Sequence, residues 1–344
     1  MSRSHLSAPD PEWTALQHKL PPPHPADADG VVIREAFAKH VIPHIQSIYQ
    51  KRLPPDSDYK VEDRTIPVDG GEITLRCLTP TPANADSVST YPLLYWMHGG
   101  GWYHGNIHMD DYTLRILCVE FQISIVNVEY RLAPEYPFPI SLEDCYAGLK
   151  WAADNASVLS ASLAKGFIIG GLSAGGNLTA VIAHRTRDDP FFANKKITGQ
   201  LLMIPAVVHP DGVPEEYKSE LTSVEENQDA PAFNRSDLYK CYSILGADPK
   251  DPRCSPLLYP SHANLPPAYL QVCGMDPLRD EGLLYEKVLR EAGVKTRIDV
   301  YPGVPHGFHW AFGHISQALK YDQDTKYGLR WLLSQSALSV KSPL

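Results

Sequence analysis

The sequence is short of long apolar runs, of clustered positive charge and of paired cysteines, and each shortage removes a class of function. No stretch reaches the roughly 18 to 20 apolar residues of a membrane span, and the start, MSRSHLSAPDPEW, holds no apolar core of signal-peptide length, so a cytoplasmic protein is expected. Among 344 residues Lys and Arg number 31 against 40 Asp and Glu, a formal charge of -9 with no basic run, which argues against nucleic acid and anionic lipid as partners. The six cysteines, at 77, 118, 145, 241, 254 and 273, lie far apart without a CxxC pair and read as buried free thiols. His98, His104 and His108 crowd together in HGGGWYHGNIH, but their spacings of six and four match no common zinc pattern, and no metal site is assigned.

What is present is ordinary globular material, 43% hydrophobic and 21% charged, enough for one large α/β domain or two small ones. Residues 1 to about 55 carry PPPHP and KRLPPD around VVIREAFAKHVIPHIQSIYQ, where Val32, Phe37, Val41 and Ile45 recur at near-helical spacing. VEDRTIPV and GEITLRCLTP flank Asp69-Gly70-Gly71 and predict two antiparallel strands joined by a tight turn. Thereafter the apolar runs PLLYWMH, ISIVNVEY, GFIIG, QLLMI, AYLQVCG and TRIDVYPG alternate with the helical patterns YTLRILCVEF, SLEDCYAGLKWAADN, NLTAVIAHRTR and EGLLYEKVLREAG. Such alternation predicts a mostly parallel central sheet with helices on both faces. The second helix opens on Ser141-x-x-Asp144, a capping-box spacing. Residues of about 207 to 250 interrupt the alternation and are too long and polar for a simple crossover, so they read as an insertion lying over the sheet.

GGLSAGGN, at 170 to 177, sets Ser173 in the turn between the strand GFIIG and the following helix, at the carboxyl edge where open α/β sheets bind ligands. Gly171-x-Ser173-x-Gly175 fits a nucleophile elbow, whose flanking positions must be small; no GxGxxG or GxxxxGK[ST] phosphate loop occurs. WMHGGGW places Gly99, Gly100 and Gly101 after a strand, where bare N–H groups can face a developing oxyanion, and the Ala174 N–H completes the donor set. Sequence leaves open which two of the three glycines donate. In QVCGMDPLRDEG, Asp276 follows a strand directly and is assigned as the acid, whereas Asp280 and Glu281 begin the next helix and are explained by capping and the helix dipole. In YPGVPHGFHWAF, His306 follows a strand between Pro305 and Gly307 and is assigned as the base, with His309 lining the pocket. Trp102, Tyr103 and Phe233 are the other expected lining residues.

HGGGW, EYRLAPEYPFP, GLSAGGN, DPLRDEG and PGVPHGF, in that order over residues 92 to 310, resemble the hormone-sensitive lipase family of carboxylesterases. The resemblance implies an α/β hydrolase core spanning 56–344, with a cap formed by helices of 1–55 and the insertion at about 207–250. It implies Ser173 as nucleophile, Asp276 as acid, His306 as base, and a small short- to medium-chain ester as substrate, with no cofactor. One departure is Leu172, where many members carry an acidic residue before the serine. Arg131 and Glu135 of YRLAPE match a motif of structural character. Three further readings stay open: a selective esterase or lactone hydrolase of secondary metabolism, similar to versiconal hemiacetal acetate esterases; a non-enzymatic small-molecule receptor on the same fold, as gibberellin receptors are; and acyl transfer to an alcohol. The exposed edge of the last strand leaves room for a homodimer.

Overall fold

The computed structural model describes residues 3–21, 28–83 and 89–339; beyond Pro21 the proline-rich run at 21–25 lies outside them. The helices are α1 (Pro11–Leu16), α2 (Gly30–Ala36), α3 (Ile42–Tyr49), α4 (Asp111–Phe121), α5 (Ile140–Asp154), α6 (Ala174–Asp188), α7 (Ser223–Glu226), α8 (Arg235–Leu245), α9 (Arg279–Glu291), α10 (Phe308–Ala311) and α11 (Ser316–Ser339). The strands are β1 (Tyr59–Val68), β2 (Gly71–Pro80), β3 (Leu93–Met97), β4 (Ser124–Glu129), β5 (Phe167–Leu172), β6 (Gly199–Met203), β7 (Ala268–Met275) and β8 (Thr296–Pro305). They form one sheet in the order β1-β2-β4-β3-β5-β6-β7-β8, in which β2 runs antiparallel to β1 and β4 and the pairs from β4 to β8 are parallel.

Alternation along the strands divides the core into two layers. Leu93, Tyr95 and Met97 join Leu142 and Leu149 of α5, Leu178 and Ile182 of α6 and Leu284 of α9. Leu94 and Trp96, facing the other way, join Leu114 and Leu117 of α4 and Tyr321, Leu329 and Leu332 of α11. The antiparallel β1–β2 hairpin turns at Asp69-Gly70, where Gly70 takes φ +70°. All six cysteines are free and buried. Among the described residues no helix is long and apolar enough to cross a membrane.

Three local expectations need correction. In the N-terminal helical segment Val32 is 58% exposed, and the buried side chains are Ile33, Ile42, Ile45 and Tyr49. A π-turn at Phe37–Val41 separates α2 from α3, and its extra residue advances the phase of everything downstream. Ser141 does not cap α5: the N-cap is Pro139, and Asp144 instead accepts the Arg131 N–H and pairs with its guanidinium at 2.7 Å. Asp280 and Glu281 serve the 204–267 connection more than their own helix. Asp280 accepts the N–H groups of Thr222 and Ser223, and Glu281 that of Val207 at 2.6 Å.

Candidate active site

Ser173, Asp276 and His306 are each the first residue after a strand, β5, β7 and β8. Because those strands are parallel, all three emerge at one carboxyl edge. The His306 Nε2 stands 2.8 Å from the Ser173 Oγ, and its Nδ1 stands 2.7 Å from the Asp276 Oδ2. The other carboxylate oxygen of Asp276 accepts the Leu278 N–H at 2.9 Å, fixing the carboxylate plane. Ser173 and His306 are 8% exposed and Asp276 1%. A neutral imidazole satisfies both contacts by donating from Nδ1 to the carboxylate and accepting the serine hydroxyl at Nε2.

The serine sits at φ 57°, ψ −114°, a conformation seldom taken by an L-residue, at the N-cap of α6. Its N–H donates to the Met203 carbonyl at 2.8 Å. The small flanking residues are a steric necessity. A Cβ on Gly171 would lie 2.4 Å from the Gly175 carbonyl group, and one on Gly175 only 2.0 Å from the Met97 oxygen.

The loop after β3 is equally constrained. Gly100, at φ +115°, could not carry a Cβ, which would meet the His104 carbonyl oxygen at 2.0 Å. Among the described residues, the N–H groups of Gly99, Gly100, Gly101 and Ala174 alike have no protein acceptor. A Cβ on Gly99 would press on the Leu172 carbonyl at 2.8 Å, so this loop and the elbow are packed against each other. The loop's anchor is His98, fully buried, stacked on Tyr130 at 4.2 Å and with Nδ1 2.7 Å from the Gly99 carbonyl. Burial lowers its pKa to about 4, so the ring is neutral and donates from Nδ1. Tyr130 returns its hydroxyl to the His98 carbonyl at 2.9 Å. From the outer side Arg34 of α2 donates to the carbonyls of Tyr103 and Ala133 and pairs with Glu135 at 2.6 Å. Glu135 therefore braces the loop's surroundings, whereas Arg131 ties Asp144 of α5 to the carbonyls of the Asp69–Gly70 turn. His104 packs on Phe37 and His108 lies 3.2 Å from Arg76, away from the triad.

Of the four residues expected to line a cleft, Phe233 touches the triad: its ring lies 4.7 Å from the His306 ring. Trp102 and Tyr103 are 3% and 5% exposed, with Trp102 packed on Tyr242 of α8. His309 is stacked on Tyr321 of α11 at 4.2 Å and lines a small cavity under the elbow with Leu172, Trp96, Asp110 and Tyr321. Leu172 thus faces apolar core and a buried carboxyl, and Asp110 accepts the Trp96 indole N–H at 2.8 Å. Sequence reasoning missed Asn227, whose buried amide donates to the Asp276 backbone carbonyl at 3.1 Å. Nothing in its polar, irregular surroundings marks it out.

A serine, imidazole and carboxylate in line at the carboxyl edge of a parallel sheet define an α/β hydrolase. Residues 94–310 match the sequence model of a family described as alpha/beta hydrolase fold, and the chain belongs to it, within its hormone-sensitive-lipase-like branch. A versiconal hemiacetal acetate esterase of Dothistroma septosporum is 36% identical, covering 73% of this chain and 76% of its own. The carboxylesterase NlhH of Mycobacterium tuberculosis is 33% identical over 82% of this chain and 83% of its own. Among solved structures a vibralactone cyclase superposes with a TM-score of 0.94 at 46% identity, covering 96% of this chain and 97% of its own. An esterase of the archaeon Pyrobaculum calidifontis gives 0.79 at 29%, covering 97% and 99%. The chain is a carboxylic ester hydrolase, which sets aside the receptor reading.

Proposed function

We propose that the chain hydrolyses short- to medium-chain carboxylic esters through an acyl-enzyme on Ser173. The observation that carries the reading is the continuous hydrogen-bond relay from the Ser173 Oγ through His306 to Asp276. His306 takes the serine proton as Oγ attacks the ester carbonyl. Asp276 holds the imidazole in the required tautomer and supports its positive charge. N–H groups of the Gly99–Gly101 loop and of Ala174 receive the oxyanion. His306 returns the proton to the departing alcohol, and water then resolves the acyl-enzyme by the same relay. Phe233 contributes to the wall of the substrate site, and residues 1–55 with the insertion at about 207–250 form its cap.

Hydrolysis of p-nitrophenyl esters from acetate to palmitate tests this, with Ser173→Ala and His306→Ala alongside. Activity should peak at short or medium chains and fall on the order of 10⁴-fold or more in both variants. Activity that survives Ser173→Ala removes the mechanism. The likeness to a vibralactone cyclase and to versiconal hemiacetal acetate esterases supports a second reading, a selective enzyme of secondary metabolism acting on an ester or lactone. A substrate panel of hydroxy esters and lactones separates it from a broad esterase.

A further inference from the structure

The Phe233 ring lies over the imidazole of His306, with centroids 4.7 Å apart and planes tilted by 34°. It is held there. The preceding Ala232 takes φ +69°, and Asn234, which follows, closes a reciprocal capping box with Asp237 at the start of α8. The segment's other side is fixed by Asn227 on the Asp276 carbonyl and by the Arg235–Glu225 ion pair, 2.5 Å long. Phe233 is half-buried and packs against the main core layer, so its position over the base is part of the fold.

Resolution of an acyl-enzyme requires an O–H group at the His306 Nε2, aimed at the acyl carbonyl. A buried water is held by two to four polar partners, and an aromatic face offers it no ordinary hydrogen-bond partner. An alcohol brings an apolar body that packs on that face while its hydroxyl reaches the same nitrogen. From this contact, and resting on the acyl-enzyme reading above, we propose that Phe233 sets the partition of the acyl-enzyme between water and an alcohol, favouring acyl transfer to an alcohol acceptor. The acceptor hydroxyl gives its proton to Nε2 as its oxygen bonds to the acyl carbon. The C–Oγ bond then breaks, Oγ recovers the proton from His306, and an ester leaves. A hydroxyl within the acyl group itself gives a lactone by the same exchange, with nothing oxidised or reduced.

The test uses the full chain with p-nitrophenyl butyrate and added 1-butanol. It measures p-nitrophenolate by absorbance and butyl butyrate and butyrate by gas chromatography. The ester-to-acid ratio should be highest in the wild type, lower in Phe233→Leu, which keeps an apolar cover, and about fivefold lower in Phe233→Ala, the scale of one lost aromatic contact. A wild type that makes no butyl ester, or a ratio unchanged in Phe233→Ala, overturns the proposal. A changed chain-length preference at constant ratio does so too, by making Phe233 only a wall of the acyl site. Should Phe233→Ala fail to fold by circular dichroism, an unchanged ratio in Phe233→Leu is equally decisive. Failure of the esterase reading looks different: the wild type releases no p-nitrophenolate, or release persists in Ser173→Ala.

Discussion

Asp110 is a carboxyl in the wrong solvent. It is 6% exposed, lines the cavity under Leu172, and has the Trp96 indole N–H as its hydrogen-bond donor. Burial raises its pKa to about 6, which that hydrogen bond only partly offsets. The folded state therefore keeps the proton up to about pH 6, while the unfolded chain releases it near pH 4. Between those values the folded state binds more protons, so stability falls as pH rises from about 4 to 6 and stays lower above, by on the order of 3 kcal/mol. Asp110→Asn keeps an oxygen acceptor for Trp96 and carries no charge. It should raise the urea midpoint at pH 7.5 and leave it near the wild-type value at pH 4. An equal effect at both pH values would refute the assignment. The identity of this residue was plain in the sequence; its burial was not, because it takes the joint packing of α3, α4 and α11 to build the surroundings of the carboxyl.

At the scale of elements, α9 does more than cover the sheet. Its first turn holds the long connection between β6 and β7: Glu281, 3% exposed, accepts the Val207 N–H, and Asp280 accepts those of Thr222 and Ser223. Glu281→Ala would leave a buried N–H without an acceptor, a cost of about 1 to 3 kcal/mol. Glu281→Gln keeps one. The melting temperature should drop by a few degrees in the alanine variant and hardly change in the glutamine variant; equal losses would mean that side-chain charge, not the acceptor, is what matters. The eight strands and most helices follow from apolar runs and periodicity because a local residue pattern decides each, and the placement of Ser173, Asp276 and His306 at the sheet's carboxyl edge was readable because each directly follows a strand. The π-turn at Phe37–Val41 carries no residue pattern that announces it, and the diversion of Asp144 to Arg131 depends on a partner outside its own helix.

Across the whole molecule several histidines are buried without charge. Burial takes His98 to about 4, His309 to about 3 and His184, stacked on Tyr259, to about 2. In the unfolded chain the same rings take up protons near pH 6.5. Below that value the unfolded state binds more protons, so each ring removes about 1.4 kcal/mol of stability per pH unit until its folded value is reached. Asp110, Glu129 and Glu281, all raised by burial, work in the opposite direction, but burial also lowers His108, His209 and His262, so six imidazoles stand against three carboxyls. Urea midpoints measured from pH 7 to 4.5 should therefore fall steeply; a flat profile would contradict the neutral buried rings.

The segment before α1 lies across the far end of the chain. Leu6 and Ala8 present their carbonyls where Gly274 and Gly303 leave room, Ser7 donates to the Gly274 carbonyl across 267 residues of sequence, and Asp10 donates to Gly303. Arg3 reaches Asp280 at 3.3 Å. During synthesis at about 5 to 20 residues per second, that segment leaves the ribosome roughly 13 to 53 seconds before the partners that fix it exist. The turn bearing Asp276 is thus sealed by a segment made long before it, so a nascent chain stays without a finished site until β7 and β8 have emerged.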